Sequence, residues 1–135
     1  QVVNGLGATG TVNGLGNVVV GYDEARSSGP QSCTLGEYVD QPTCIANGGT
    51  WALSYKTGSH NLVVGEQHDY SRDSGFLAGY ANTANGHFAS VSGGSLNVAS
   101  ANAASVSGGN QNHEPRRFLR RLFVVSHAAK ASDSC

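Results

Sequence analysis

The 135-residue chain reads as an all-β protein, a parallel β-solenoid of 14–15-residue repeats, and three observations lead there. Five segments align on a terminal glycine: NVVVG (17–21), NLVVG (61–65), GFLAG (75–79), SVSGG (90–94) and SVSGG (105–109). Charged residues make up only 13% and hydrophobic residues 39%, short of the roughly 25% and 45–50% of ordinary globular domains, while glycine alone contributes 19. No apolar run approaches the ~18 residues of a membrane span, and glycine keeps no three-residue period, which removes a membrane span and a collagen helix.

The repeat carries two columns beside its glycines. Gly65, Gly79, Gly94 and Gly109 stand 14, 15 and 15 residues apart, and Gly21 begins the series. Three positions before each glycine stand Val18, Leu62, Phe76, Val91 and Val106, the expected core column. Three positions after stand Glu24, His68, Asn82, Asn97 and Asn112. A unit this short cannot hold a helix hairpin, and its Gly, Ser and Asn content opposes helix. Two short strands joined by tight turns fit it, since Gly and Asn tolerate the left-handed conformations such turns need. Stacked in parallel, the units place like residues above one another, so Asn82, Asn97 and Asn112 are expected to form a side-chain ladder.

Fourteen residues at ~3.3 Å each enclose a tube that holds only a few small side chains per rung. Burial that thin barely offsets chain entropy, so neighbouring copies of the chain are expected to supply the rest. Self-association follows from period and composition; the number of subunits does not.

The stretch GSHNLVVGEQHDYSRDSGFLAGYANTANGHFASVSGGSLNVASANAASVSGG resembles the head repeats of trimeric autotransporter adhesins, the YadA-like haemagglutinin family, and TVNGLGNVVVGYDEAR resembles the start of the same array. The resemblance implies a left-handed β-roll, a homotrimer, a bacterial-surface or extracellular location, and adhesion to host matrix protein or glycan. The chain has no recognisable coiled-coil stalk or membrane-barrel anchor, so the resemblance is that of a fragment or a divergent member.

Four regions are expected: first repeats over 1–26, a loop insertion over 27–57, repeats over 58–112, and a tail over 113–135. Within the insertion Cys33 and Cys44 read as a disulfide closing the loop, which favours an oxidising compartment; two unrelated thiols are the alternative. Trp51 and Tyr55 either form a small satellite core or stay exposed as a binding pair for glycan or protein. In the tail, Pro115 suits a first helical turn, and Arg116, Arg117, Arg120 and Arg121 fall opposite Phe118, Leu119, Leu122, Phe123 and Val125. That predicts a short basic amphipathic helix: a cap on the solenoid end, a membrane-surface contact, or sequence unrelated to the array. The opening QVVNGLG carries no Met, charged n-region or apolar h-region and reads as a mature or excised segment.

Residues 5–10, GLGATG, formally match a dinucleotide-binding fingerprint, but TVNGLGN follows where a helix is required. No catalytic, metal or cofactor residues are assigned. His60, His68 and His87 read as solvated turn residues, and Asp69, Arg72 and Asp73 as a local ion-pair group. The net charge of −1 gives no reason to expect nucleic acid. The expected function is a non-enzymatic surface or fibre module, adhesin-like or spacing. The alternative is a solenoid enzyme or tailspike-like module acting on polysaccharide, a class that wants acids clustered on one face.

Overall fold

The structure, a computed structural model, describes residues 1–114 and 124–125. The valine-rich alternation of the repeats produces short strands, as β-branched residues do when one face is buried. In chain order the elements are β1 (Val18–Val20), β2 (Ser32–Cys33), α1 (Gln41–Ala46), β3 (Trp51–Ala52), β4 (Leu62–Glu66), β5 (Asp69–Tyr70) and β6 (Phe76–Tyr80). They continue with β7 (Thr83–Ala84), β8 (Ser90–Val91), β9 (Val98–Ala99), β10 (Ser105–Val106), β11 (His113–Glu114) and β12 (Val124–Val125).

Two parallel sheets form the walls of a solenoid. The first runs β1-β4-β6-β8-β10-β12 and the second β11-β9-β7-β5. Leu62 lies beside Phe76, Phe76 beside Ser90 and Ser90 beside Ser105, so the chain makes three turns between Leu62 and Ser105. The interior is one narrow file. Val63, Leu77, Val91 and Val106 enter it from the first sheet, fully buried, and meet Tyr70, Ala84 and Ala99 from the second, with Ala89 and Ala104 at a corner. Alanine is common there because the tube has no room for more. Each buried Val or Leu still contributes about 1.5–3 kcal/mol of transfer free energy.

That file corrects part of the expected core column. Val18, Leu62 and Phe76 pair in register with Ser90 and Ser105 rather than with Val91 and Val106, and they point out of the tube. Val18 is 44% and Leu62 41% exposed, and Phe76 is half-buried. The cause is one extra residue. Strand and stacked glycine are three apart in Phe76–Gly79 but four apart in Ser90–Gly94 and Ser105–Gly109, so counting back three from each glycine changes face between the third and fourth repeats. A one-residue slip in a strand moves every side chain to the other face.

The glycines stack. A Cβ on Gly79 would stand 2.2 Å from the Gly94 carbonyl oxygen, and one on Gly94 would stand 1.9 Å from that of Gly109. Both have positive φ, +108° and +79°, so no side chain fits either the space or the backbone. Gly21 and Gly65 make the same approach one rung earlier. The two corners, by contrast, place non-glycine residues in left-handed backbone. One column is Asp23, Gln67, Ala81, Leu96 and Gln111 and the other His60, Ser74, Phe88 and Ala103, all with φ between 53° and 63°. Such residues cost about 1–2 kcal/mol each, which inter-rung bonds offset, Ala81 N–H donating to Glu66 O and Leu96 N–H to Tyr80 O.

Residues 27–57 are a folded lobe rather than a plain loop. Antiparallel β2 and β3 pair Cys33 with Trp51, and α1 is capped by Asp40, whose carboxylate accepts from Thr43 N–H, with Pro42 in its first turn. The Cys33–Cys44 disulfide joins the hairpin to the helix, with both residues buried. The lobe ends earlier than expected, because Lys56 already bridges Tyr70 in the second wall. The array also runs past Asn112, with His113–Glu114 pairing β9. Val124–Val125 is a parallel strand beside β10, not part of a helix. The four tail arginines, Arg116, Arg117, Arg120 and Arg121, lie outside the described residues.

Candidate functional site

One side of the tube is closed by a polar ladder. The Asn97 N–H donates to Asn82 Oδ1 and the Asn112 N–H to Asn97 Oδ1, each at 2.8 Å. The side-chain amides turn back onto their own corner, Asn82 onto Ala78 O, Asn97 onto Gly93 O and Asn112 onto Gly108 O. Asn82 and Asn97 also donate to the glycine carbonyls of the next rung, Gly94 and Gly109. The rungs of Asn82, Asn97 and Asn112 are thus tied together through side chains of which Asn82 and Asn97 are fully buried.

His68 heads this ladder, which corrects its reading as a solvated turn residue. Its Nε2 lies 3.0 Å from Val64 O and its Nδ1 accepts from the Asn82 N–H, the same two bonds an asparagine makes. Burial pushes its pKa below the usual histidine value and outweighs the bond to the Val64 carbonyl, which favours the charged form. Glu24, one column-place earlier, is exposed. A second, shorter ladder stands at the other corner. Asn17 Oδ1 accepts from Asn61 N–H at 2.8 Å, and Asn61 Oδ1 from Gly75 N–H at 2.7 Å.

The outer side of the second sheet is covered by the lobe and its approach. Arg26 Nε sits 3.1 Å from Asp69 Oδ2, both side chains nearly fully buried, and the guanidinium also donates to Ala81 O and Thr83 Oγ1. Asp69 accepts further from Ser54 Oγ and Tyr55 N–H. Burial raises the Asp69 pKa above its ordinary value, against the pull of Arg26. Asp73 binds His87 Nδ1, His87 Nε2 lies 3.0 Å from Arg72 Nη1, and Arg72 reaches Glu37 of the lobe. The local group expected of Asp69, Arg72 and Asp73 is therefore divided: Asp69 on β5 pairs with Arg26, whereas Arg72 and Asp73, in the bend after the strand, meet at His87, and Arg72 also reaches Glu37.

Tyr55 is not available for binding. It is buried, its hydroxyl lies 2.8 Å from Ser32 Oγ, and Asn85 Nδ2 donates to it. Desolvation, foremost, pushes its pKa up to about 12. Trp51 is half-buried on β3. The structure thus separates the two residues of the expected aromatic pair by role.

Among the described residues the outer side of the first sheet carries an exposed apolar strip. Val18, Leu62 and Phe76 form one outward column, and Val20, 57% exposed, heads the next with Val64 and Ala78. Over the next two rungs the same places hold Ser90, Ser92, Ser105 and Ser107. The apolar half of this face spans three consecutive rungs. Among the described residues no group of three or more His, Cys, Asp or Glu side chains gathers as a metal site would, and no helix is long and apolar enough to cross a membrane.

The N-terminal segment holds a feature that the fourteen-residue register hides. VNGLG occurs at 3–7 and again at 12–16. Asn4 and Asn13 each close an Asx turn, accepting from Leu6 N–H and Leu15 N–H at 2.9 and 3.0 Å, and both units expose their Val and Leu. The repeated pentapeptide was the signal in the sequence.

No protein-family model, no curated protein and no solved structure matches the chain.

Proposed function

We propose that the chain is a non-enzymatic surface or fibre module, an adhesin-head-like scaffold built from 14–15-residue units as a left-handed β-roll. In this reading three copies assemble through the outer side of the first sheet, outside the cell or on a bacterial surface. One observation carries it: the tube covers one wall with its own lobe, while among the described residues Val18, Val20 and Leu62 of the other wall are exposed, with Phe76, Val64 and Ala78 half-buried beside them. Contiguous exposed apolar surface of this kind marks interaction sites. The file of small residues inside the tube supports the same conclusion, since additional burial has to come from elsewhere. The buried disulfide suits a non-reducing compartment. Against a polysaccharide-cleaving enzyme weighs the state of the acids on the array, where Asp69 is bonded to Arg26 and Asp73 to His87.

The test is mass in solution by light scattering beside far-UV circular dichroism, on the wild type and on a Val20→Lys/Leu62→Lys double variant. The expected wild-type species is β-rich at three times 13.8 kDa, and the double variant a β-rich monomer. A folded wild-type monomer refutes the assembly.

A further inference from the structure

The turn that follows the glycine column carries a stripe of its own. Strand pairing sets Glu66 beside Tyr80, and bridges set Tyr80 beside Ser95 and Ser95 beside Asn110. Continuing the Val20–Val64 register by two residues sets Tyr22 beside Glu66. Asp23, Gln67 and Ala81 come next along the chain and share one left-handed corner, so the columns remain aligned through it. Tyr22 is 93% exposed and Tyr80 41%, and Glu66 between them is exposed as well.

On alternate rungs, the backbones that carry the two tyrosines are set about 10 Å apart, twice the spacing of neighbouring strands. Each has an apolar ring and a polar tip, the combination that suits a partly wet contact. We propose that the Tyr22–Glu66–Tyr80 stripe binds an extended β-1,4-linked glycan. An extended β-1,4 chain turns each pyranose over relative to the last, so every second sugar presents the same C–H face at nearly that spacing. The two rings stack on alternate sugars, and the Glu66 carboxylate accepts hydrogen bonds from hydroxyls of the sugar between. Ser95 and Asn110, joined by a 3.0 Å hydrogen bond, continue the stripe with uncharged polar groups. Backbone hydrogen bonds between rungs hold the Tyr80 end of the stripe, Tyr80 N–H donating to Gly94 O and Ala81 N–H to Glu66 O, and such preorganisation lowers the entropic cost of binding. An α-1,4 chain coils and cannot follow a straight stripe.

This names the ligand of the module proposed above and rests on that reading for its biological sense, although the stripe itself lies within one chain. The test is isothermal calorimetry of the full chain with cellohexaose, chitohexaose and, as control, maltohexaose, on the wild type, Tyr22→Ala, Tyr80→Ala and the double variant. Each protein's mass is followed by light scattering. Binding of either β-1,4 hexasaccharide is expected, maltohexaose being weaker, and each tyrosine variant should lose roughly tenfold in affinity with an unchanged dichroism spectrum. The proposal is overturned if neither β-1,4 sugar binds the wild type, or if the double variant binds as well as wild type. It is equally overturned if the tyrosine variants change the mass, because the stripe is then a contact between copies. A monomeric wild type that binds through its tyrosines refutes the trimer and leaves the glycan site standing.

Discussion

Replacing Asn97 by alanine tests whether the ladder holds the rungs together. Asn97 is fully buried and makes three side-chain bonds: its Oδ1 accepts from Asn112 N–H at 2.8 Å, and its Nδ2 donates to Gly93 O at 3.2 Å and Gly109 O at 3.0 Å. Gly109 O keeps the Ser95 N–H at 2.9 Å, so its loss is small. The Asn112 N–H loses its acceptor, and the Gly93 carbonyl loses a donor. A buried group left unpaired costs about 1–3 kcal/mol, which sets the expected loss for Asn97→Ala at about 2–4 kcal/mol. Against a total stability of about 5–15 kcal/mol this is a large fraction. Asn97→Asp should cost more, because an oxygen replaces the amide that faces two carbonyls. The assay is urea unfolding followed by far-UV dichroism, where m of about 1–3 kcal/mol/M turns the loss into a midpoint shift on the order of 1–2 M. Asn102→Ala is the control, an exposed asparagine whose Oδ1 accepts only from His87 N–H among the described residues. A loss below about 1 kcal/mol for Asn97→Ala, or equal losses for both alanine variants, would refute the ladder's role.

Four further outcomes are expected. Because the folded-state pKa of His68 is depressed, its contribution to stability is complete above the unfolded value near 6.5 and declines as pH falls from there toward the folded value; His68→Asn should flatten that part of a stability–pH curve, and an unchanged curve would count against it. Leu77→Asp should abolish β-structure, whereas Phe76→Asp should keep the dichroism spectrum and lower only the mass in solution; equal unfolding of both would overturn the assignment of inward and outward columns. Arg26→Ala should cost about 3–5 kcal/mol in urea unfolding, since it leaves Asp69 buried without its cation, while an Arg26→Leu/Asp69→Leu pair should cost less. Reducing the Cys33–Cys44 bond, 11 residues apart, should lower stability by about 2–3 kcal/mol and loosen the lobe, read as new proteolytic cuts within 27–57 and none in the coil.

The difference between what was legible in the sequence and what was not follows from how each feature is encoded. A stacked glycine is recorded residue by residue, because Gly79 and Gly94 each need both the space and the positive φ; their column could be read directly, and the asparagine positions with it. The facing of the strands is recorded only as parity, and parity is lost when a repeat gains one residue. Hence Leu62 and Phe76 were expected inside, where Val63 and Leu77 stand. His68 escaped for a different reason: its ring nitrogens reproduce an asparagine's donor and acceptor, so chemical likeness kept the column while the letter changed. The lobe's seat was the least legible part. Arg26 meets Asp69, and Arg72 meets Glu37, across separations that no local pattern encodes. The same contacts decide which wall of the tube is left open. The lobe fills the outer side of the second sheet with a buried ion pair and the Tyr55 hydroxyl network, whereas among the described residues Val18, Val20 and Leu62 on the other wall stay exposed. A repeat that alternates strictly would present two equivalent walls; an insertion anchored on one of them breaks that equivalence, which is why the two walls differ so much in exposure.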